Sequence, residues 1–153
     1  MGRLVGLDVG ERRIGVAVSD ASGTLARPLK TLRTTGLDGD ALQVSAAEVA
    51  RVAAEEPLAA VVIGLPRRLD GSPNEMTPRV ARFADRLSQR VGVEVILQDE
   101  RLTSVEAESR LSARDRDWRS RKDRIDAAAA AIILQDYLDS RASASDATDP
   151  ALR

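Results

Sequence analysis

The sequence predicts one α/β domain, a mixed five-stranded sheet flanked by helices. Three observations carry that expectation. Leu4–Val9 and Ile14–Val18 are short apolar strands joined by Gly10-Glu11-Arg12-Arg13, a hairpin at the front of the chain. Leu58-Ala59-Ala60-Val61-Val62-Ile63-Gly64-Leu65 is a continuous apolar run, as in strands buried on both faces. Segments with helical apolar spacing alternate with further strand-like segments, which implies parallel pairing beyond the antiparallel opening. A chain of 153 residues holds one sizeable core.

The elements follow in order. After the hairpin, Gly23 marks a turn, and Leu25 to Leu32 reads as a third strand whose Pro28 suits a sheet margin. Leu42, Ala46, Val49, Ala50 and Ala53 give Ala41–Glu55 a helical stripe, closed by Pro57. Pro66 ends the apolar run, and residues 67–78, with Asp70-Gly71-Ser72-Pro73, read as an exposed loop. A helix is expected over Arg79–Val91, with Val80, Phe83, Ala84, Leu87 and Val91 facing inward. Val93–Leu97 is the fifth strand and leads into Gln98-Asp99-Glu100. Thr103 and Glu106 have the spacing of a capping box, which places a short helix over 103–111. Residues 110–124 carry seven Arg/Lys against three Asp, a net +4. The last helix is expected over Asp123–Asp139, with Ile125, Ala129, Ile132, Ile133 and Leu138 inward. The domain is thus expected over 1–139, with a Ser-, Ala- and Asp-rich disordered tail over 140–153.

Composition narrows the chemistry. With no Cys and no His, the chain has no disulfide, no thiolate metal site, no His-ligated zinc and no Ser-His triad. Catalysis falls to Asp, Glu, Lys, Arg, Ser, Thr or Tyr. Hard, oxygen-liganded Mg²⁺ or Mn²⁺ are then the natural cofactors. Arginine supplies nearly all the positive charge, which favours bidentate contacts to phosphate or carboxylate. The glycine-broken start and the absence of a membrane-length run lead us to expect a cytoplasmic protein with no membrane partner.

The first strand holds a carboxylate, Asp8, among apolar residues, where it is costly unless paired or bound to metal. Asp99 and Glu100 lie just past the fifth strand, and Asp126 is expected in the first turn of the last helix. If the first and last strands come close, these acids converge, and two divalent cations would balance them and activate water for attack on phosphorus. Each also has a plainer structural role. Asp8 can accept hydrogen bonds from the turn, Asp99 and Glu100 can pair with Arg101, and Asp126 can favour a helix N-terminus through the macrodipole. Arg79, Arg82, Arg86 and Arg90 form a stripe on their helix. Arg119, Arg121 and Lys122 form a second basic group beside Trp118, which can stack on a base or pin the segment down.

Five segments match one family in order: LVGLDVGERRIGVAVSD (4–20), ARPL (26–29), VVIGLPRRLDGS (61–72), DERLTSVEAESRL (99–111) and DRIDAAAAAIILQDYLD (123–139). On these the chain resembles the YqgF/RuvX family of Holliday-junction-resolvase-like proteins, to which pre-16S rRNA nuclease activity is ascribed. The resemblance implies a ribonuclease H-like fold and a metal-dependent nuclease in 16S rRNA 5′-end maturation. It implies nucleic acid as partner, RNA ahead of branched DNA, pre-ribosomal particles as the setting, and a monomer or homodimer. By position it implies Asp8, Glu100 and Asp126 as catalytic acids, with Asp99 among the metal ligands as the competitor of Glu100. Arg13 takes the place of the family's arginine in the opening turn. Arg67-Arg68, after Pro66, and residues 112–122 fit the pattern less well.

Two other readings compete. Asp8-Val9-Gly10 also resembles the phosphate loop of sugar-kinase and actin-type ATPases, but those enzymes close two lobes on ATP, and a second phosphate loop is missing here. A non-catalytic RNA-binding or ribosome-assembly module on a nuclease fold would rely on arginine–phosphate contacts alone.

Overall fold

The computed structural model describes residues 2–100 and 118–147, with backbone only for 118–122 and 144–147. Strands β1 (Arg3–Val9) and β2 (Arg13–Ser19) form the expected hairpin, with Asp8 opposite Gly15 and the Gly10 amide donating to the Arg13 carbonyl at 2.9 Å. Asp20 shapes the next turn by accepting from the amides of Thr24 and Leu25 at 2.8 and 3.1 Å. Strand β3 (Ala26–Arg33) then pairs antiparallel with β2. Helix α1 (Ala41–Glu55) and strand β4 (Leu58–Pro66) follow, then helix α2 (Met76–Arg90), strand β5 (Glu94–Glu100) and helix α3 (Trp118–Ala147). The sheet order is β3-β2-β1-β4-β5, with β4 parallel to β1 and β5 parallel to β4. This is the mixed five-stranded sheet the sequence predicts, and Pro28 sits on its edge strand.

Four details differ from the sequence reading. Helix α2 starts three residues before Arg79, because Asn74 Oδ1 accepts from the amides of Met76 and Thr77 at 2.8 and 3.1 Å. Pro78 then lies in the first turn, where its missing N–H costs nothing. Strand β5 runs on through Glu100, so Asp99 and Glu100 belong to the strand rather than to the loop after it. Strands β1 and β5 are not neighbours, since β4 lies between them. Helix α3 spans 30 residues, which puts Asp126 more than two turns from its start, and residues 140–147 continue the helix. A macrodipole role for Asp126 falls away, since that effect is confined to the first turn. The expected helix over 103–111 and residues 148–153 lie outside the described residues. Among the described residues, no helix is long and apolar enough to cross a membrane.

The two faces of the sheet are built differently. Val5, Leu7, Val9, Ile14, Val16, Val18, Val61 and Ile63 fill one core, together with Val49 and Val52 of α1 and Val80, Phe83 and Leu87 of α2. The other face combines glycines and small side chains with Leu4 and carries α3, whose Ala130, Ile133, Leu134 and Leu138 pack on Leu4, Ala17, Ala60 and Val62. Three glycines make that approach close. A Cβ on Gly6 would stand 2.8 Å from Leu134 Cβ, one on Gly64 2.5 Å from Ile133 Cδ1, and one on Gly15 would overlap the Asp126 carbonyl. Polar hooks hold the helix against β3. Gln135 accepts from the Ala26 amide at 2.9 Å and donates to the Thr24 carbonyl at 3.0 Å, and Thr31 donates to the Asp123 carbonyl at 2.5 Å.

The glycine floor sets a test. Gly15→Ala forces backbone against backbone and is expected to cost about 1–3 kcal/mol, as overpacking does. Gly92, with nothing within 4 Å of its would-be Cβ, is the control. Gly92→Ala should be neutral or stabilising by up to about 1 kcal/mol through the unfolded chain. Thermal unfolding of both variants checks this, and equal Tm values would contradict the close seating of α3.

Candidate active site

Asp8 lies on the α3 face of the central strand, two residues beyond Gly6 and opposite Gly15. Seating α3 on Gly15 brings Asp126 beside it. Glu100, the last residue of β5, reaches the same place across β4. Its Oε2 would stand 2.8 Å from a Cβ on Gly64, so the glycine is what lets this side chain lie over β4. There it hydrogen-bonds to Asp8. Two carboxylates can do so only by sharing a proton.

The surroundings explain that proton. Burial, then the Asp8 charge and hydrogen bond, and lastly the Asp99 charge push Glu100 up to about 9. Burial and the Asp126 charge raise Asp8 to about 6, with the Glu100 hydrogen bond pulling the other way. Glu100 Oε2 is buried and accepts no hydrogen bond from any donor. Beside Asp8, Arg13 Nε lies 3.1 Å from the buried Asp126 Oδ2, an ion-pair contact rather than a formed hydrogen bond. Asp8 is thus the common member of two acidic contacts. Asp99 is exposed and, by strand alternation, lies on the opposite face of β5 from Glu100. Among the described residues, no three acids stand as a ready-made metal cage, so the expected convergence takes the form of a centre around Asp8. The orphaned Glu100 oxygen and an all-carboxylate donor set nevertheless fit a hard divalent cation.

The centre opens into a cleft of about 740 Å³ lined by Asp8, Gly10, Glu11, Arg12, Arg13, Arg33, Thr34 and Asp126. Arg12 is exposed there. Arg33 grips Asp123 with both Oδ atoms at 3.0 Å. Sequence reasoning passed over Arg12 and Arg33. The only signal for Arg33 is its register opposite Arg13 across β2 and β3, which a sequence does not display. The α2 stripe divides. Arg79 is taken up by Glu11, at 2.5 and 3.2 Å, with Asp38 at 3.8 Å, and so ties α2 to the hairpin turn. Arg82 and Arg86 are exposed beside a second groove, lined also by Leu37, Leu42 and Phe83, and Arg90 closes the last turn of α2. The side chains of Trp118, Arg119, Arg121 and Lys122 lie outside the described residues.

Residues 2–140 match the family model RuvX, described as Holliday junction resolvase. Over 140 residues the chain is 38% identical to a protein of Thermoanaerobacter pseudethanolicus named "Putative pre-16S rRNA nuclease", covering 91% of this chain and 97% of the relative. A protein of the same name from Chloroflexus aurantiacus is 43% identical over 140 residues, covering 92% and 88%. Among solved structures, T. thermophilus RuvC in complex with a Holliday junction substrate superposes with a TM-score of 0.52 at 18% identity, covering 92% of this chain and 96% of that one. That likeness is one of fold, and it is the ribonuclease H-like fold expected from the sequence.

The shared proton has a measurable sign. Both acids bind protons more tightly in the folded chain than at their ordinary values of 3.8 and 4.5. The pair's contribution to stability is therefore intact below those values and is lost as pH rises toward about 9. In chelator, Glu100→Gln should be more stable than the native chain by a margin that grows between pH 5 and pH 9. A constant Tm difference across that range would rule out the shared proton.

Proposed function

Because the chain belongs to the RuvX family, we propose that it is a divalent-metal-dependent nuclease acting on RNA in 16S rRNA 5′-end maturation, with branched DNA as the alternative substrate. The observation that carries this reading is the half-buried Asp8–Glu100 pair with Asp126 beside it, on the floor of an arginine-lined cleft. The relatives' name supports the substrate, and the cleft chemistry supports the reaction class.

Asp8, Glu100 and Asp126 are the residues that would hold Mg²⁺ or Mn²⁺. Such a cation supplies an activated water and offsets the charge that develops on the phosphate. The protein's own contribution is positional. Gly64 lets Glu100 reach Asp8, and α3 carries Asp126 to them on the glycine floor. To hold a cation the pair would have to be deprotonated, so cation affinity should rise with pH through the neutral range. At the rim, Arg12 presents a guanidinium to a backbone phosphate, and Arg82 and Arg86 extend positive charge along α2.

Two measurements test the reading. In an Mn²⁺-dependent cleavage assay, Asp8→Asn and Glu100→Gln should each lose at least about 100-fold in rate, and Asp99→Asn should lose much less. Losses in the reverse order would assign the site to Asp99. An inactive native chain that still binds RNA would move the protein to the binding-module reading. For substrate grip, Arg12→Gln should reduce the salt dependence of single-stranded RNA binding by about 0.7 of a slope unit, one phosphate contact.

A further inference from the structure

Among the described residues, two arginines of the cleft hold a carboxylate. Arg33 holds Asp123, outside the acidic centre, and Arg13 holds Asp126, within it. The Arg13 and Asp126 side chains are only 32% and 22% exposed, so solvent and salt screen this pair less than an open surface pair. A guanidinium keeps its charge at any working pH. A cation approaching Asp126 therefore meets a positive charge already in place. The Arg13 backbone is anchored at the end of the hairpin, where its carbonyl accepts from the Gly10 amide at 2.9 Å. Its side chain lines the same cleft as Arg12 and Arg33, within reach of a strand lying there.

We propose that Arg13 is a positioning residue with two alternative partners. It holds Asp126 in the free protein and passes to a substrate phosphate when a divalent cation engages that carboxylate. The proposal deepens the nuclease reading and rests on it. Its consequence is a coupling. A phosphate that draws Arg13 from Asp126 raises cation affinity, and the cation raises phosphate affinity by the same factor. The centre then binds its cation fully only when substrate is in place.

The test uses the full chain and Mn²⁺ alone, titrated by calorimetry into native protein, Arg13→Gln, Arg13→Lys and Arg12→Gln, with thermal unfolding as the check on folding. Arg13→Gln should bind Mn²⁺ about threefold or more tightly than native, the factor expected from losing a partly screened ion pair. Arg13→Lys, which keeps the charge, should return toward native, and Arg12→Gln should change affinity less. The second readout is the salt slope for phosphorothioate single-stranded RNA. Arg13→Gln should match native without Mn²⁺ and lose about 0.7 of a unit with it. Arg12→Gln should lose that amount in both conditions. Mn²⁺ binding no tighter in Arg13→Gln than in native, or an equal loss of slope with and without Mn²⁺, overturns the proposal while leaving the nuclease reading standing. A native chain that binds no Mn²⁺ even with phosphorothioate RNA present overturns both.

Discussion

The seating of α3 on a floor of glycines is the constraint on which the rest of this structure depends. Gly6, Gly15 and Gly64 come from three different strands, yet all face the same helix. An alanine in place of any of them would lift the helix or push it sideways. The alanine run 127–131 meets that floor with the smallest side chain that still favours a helix. The interface gains density rather than bulk, and close packing makes it intolerant of added volume. Ile133 and Leu134, both fully buried, supply the larger apolar contacts, worth about 1.5–3 kcal/mol each.

The same close approach creates the chemistry. Gly15 admits the helix backbone at Asp126, and Gly64 leaves the space over which Glu100 reaches Asp8. Packing thus forces acids from β1, β5 and α3 together where water is scarce. Left ionised, they would repel one another with little screening. In the free protein, Glu100 binds its proton more tightly than usual and a guanidinium stands beside Asp126. The centre is held at a cost to stability, as sites built for binding often are.

Much of this was legible in the sequence, and the gaps have physical causes. The hairpin, the β4 run and α1 stood out because burial on one face leaves a periodic apolar trace and burial on both a continuous one. Strand β5 read short because Gln98-Asp99-Glu100 is polar, although an edge strand can end in polar residues while its ladder with β4 continues to Pro66–Glu100. Once β5 extends that far, alternation alone separates Glu100 from Asp99. The start of α2 was hidden by Pro78, which looks like a helix stop and is harmless in a first turn. Arg79 belonged by spacing to a solvent-facing stripe. Its partner Glu11 lies 68 residues away, and no helical pattern reveals such a pair.

The turn at residues 10–13 shows how these parts combine. Its shape comes from the Gly10–Arg13 backbone hydrogen bond, and its side chains are then claimed from two sides. Arg79 of α2 takes Glu11 and holds its carboxyl below the usual range, while Asp126 of α3 takes Arg13. Exposed ion pairs add little stability, so the Glu11 contact matters more for orientation than for folding. With Glu11 neutralised and Arg13 occupied, Arg12 is left as the turn's cation facing solvent. An incoming polyanion therefore meets a positive rim first and the acidic floor second. That order suits the proposed nuclease centre, whose acids alone would repel a phosphate.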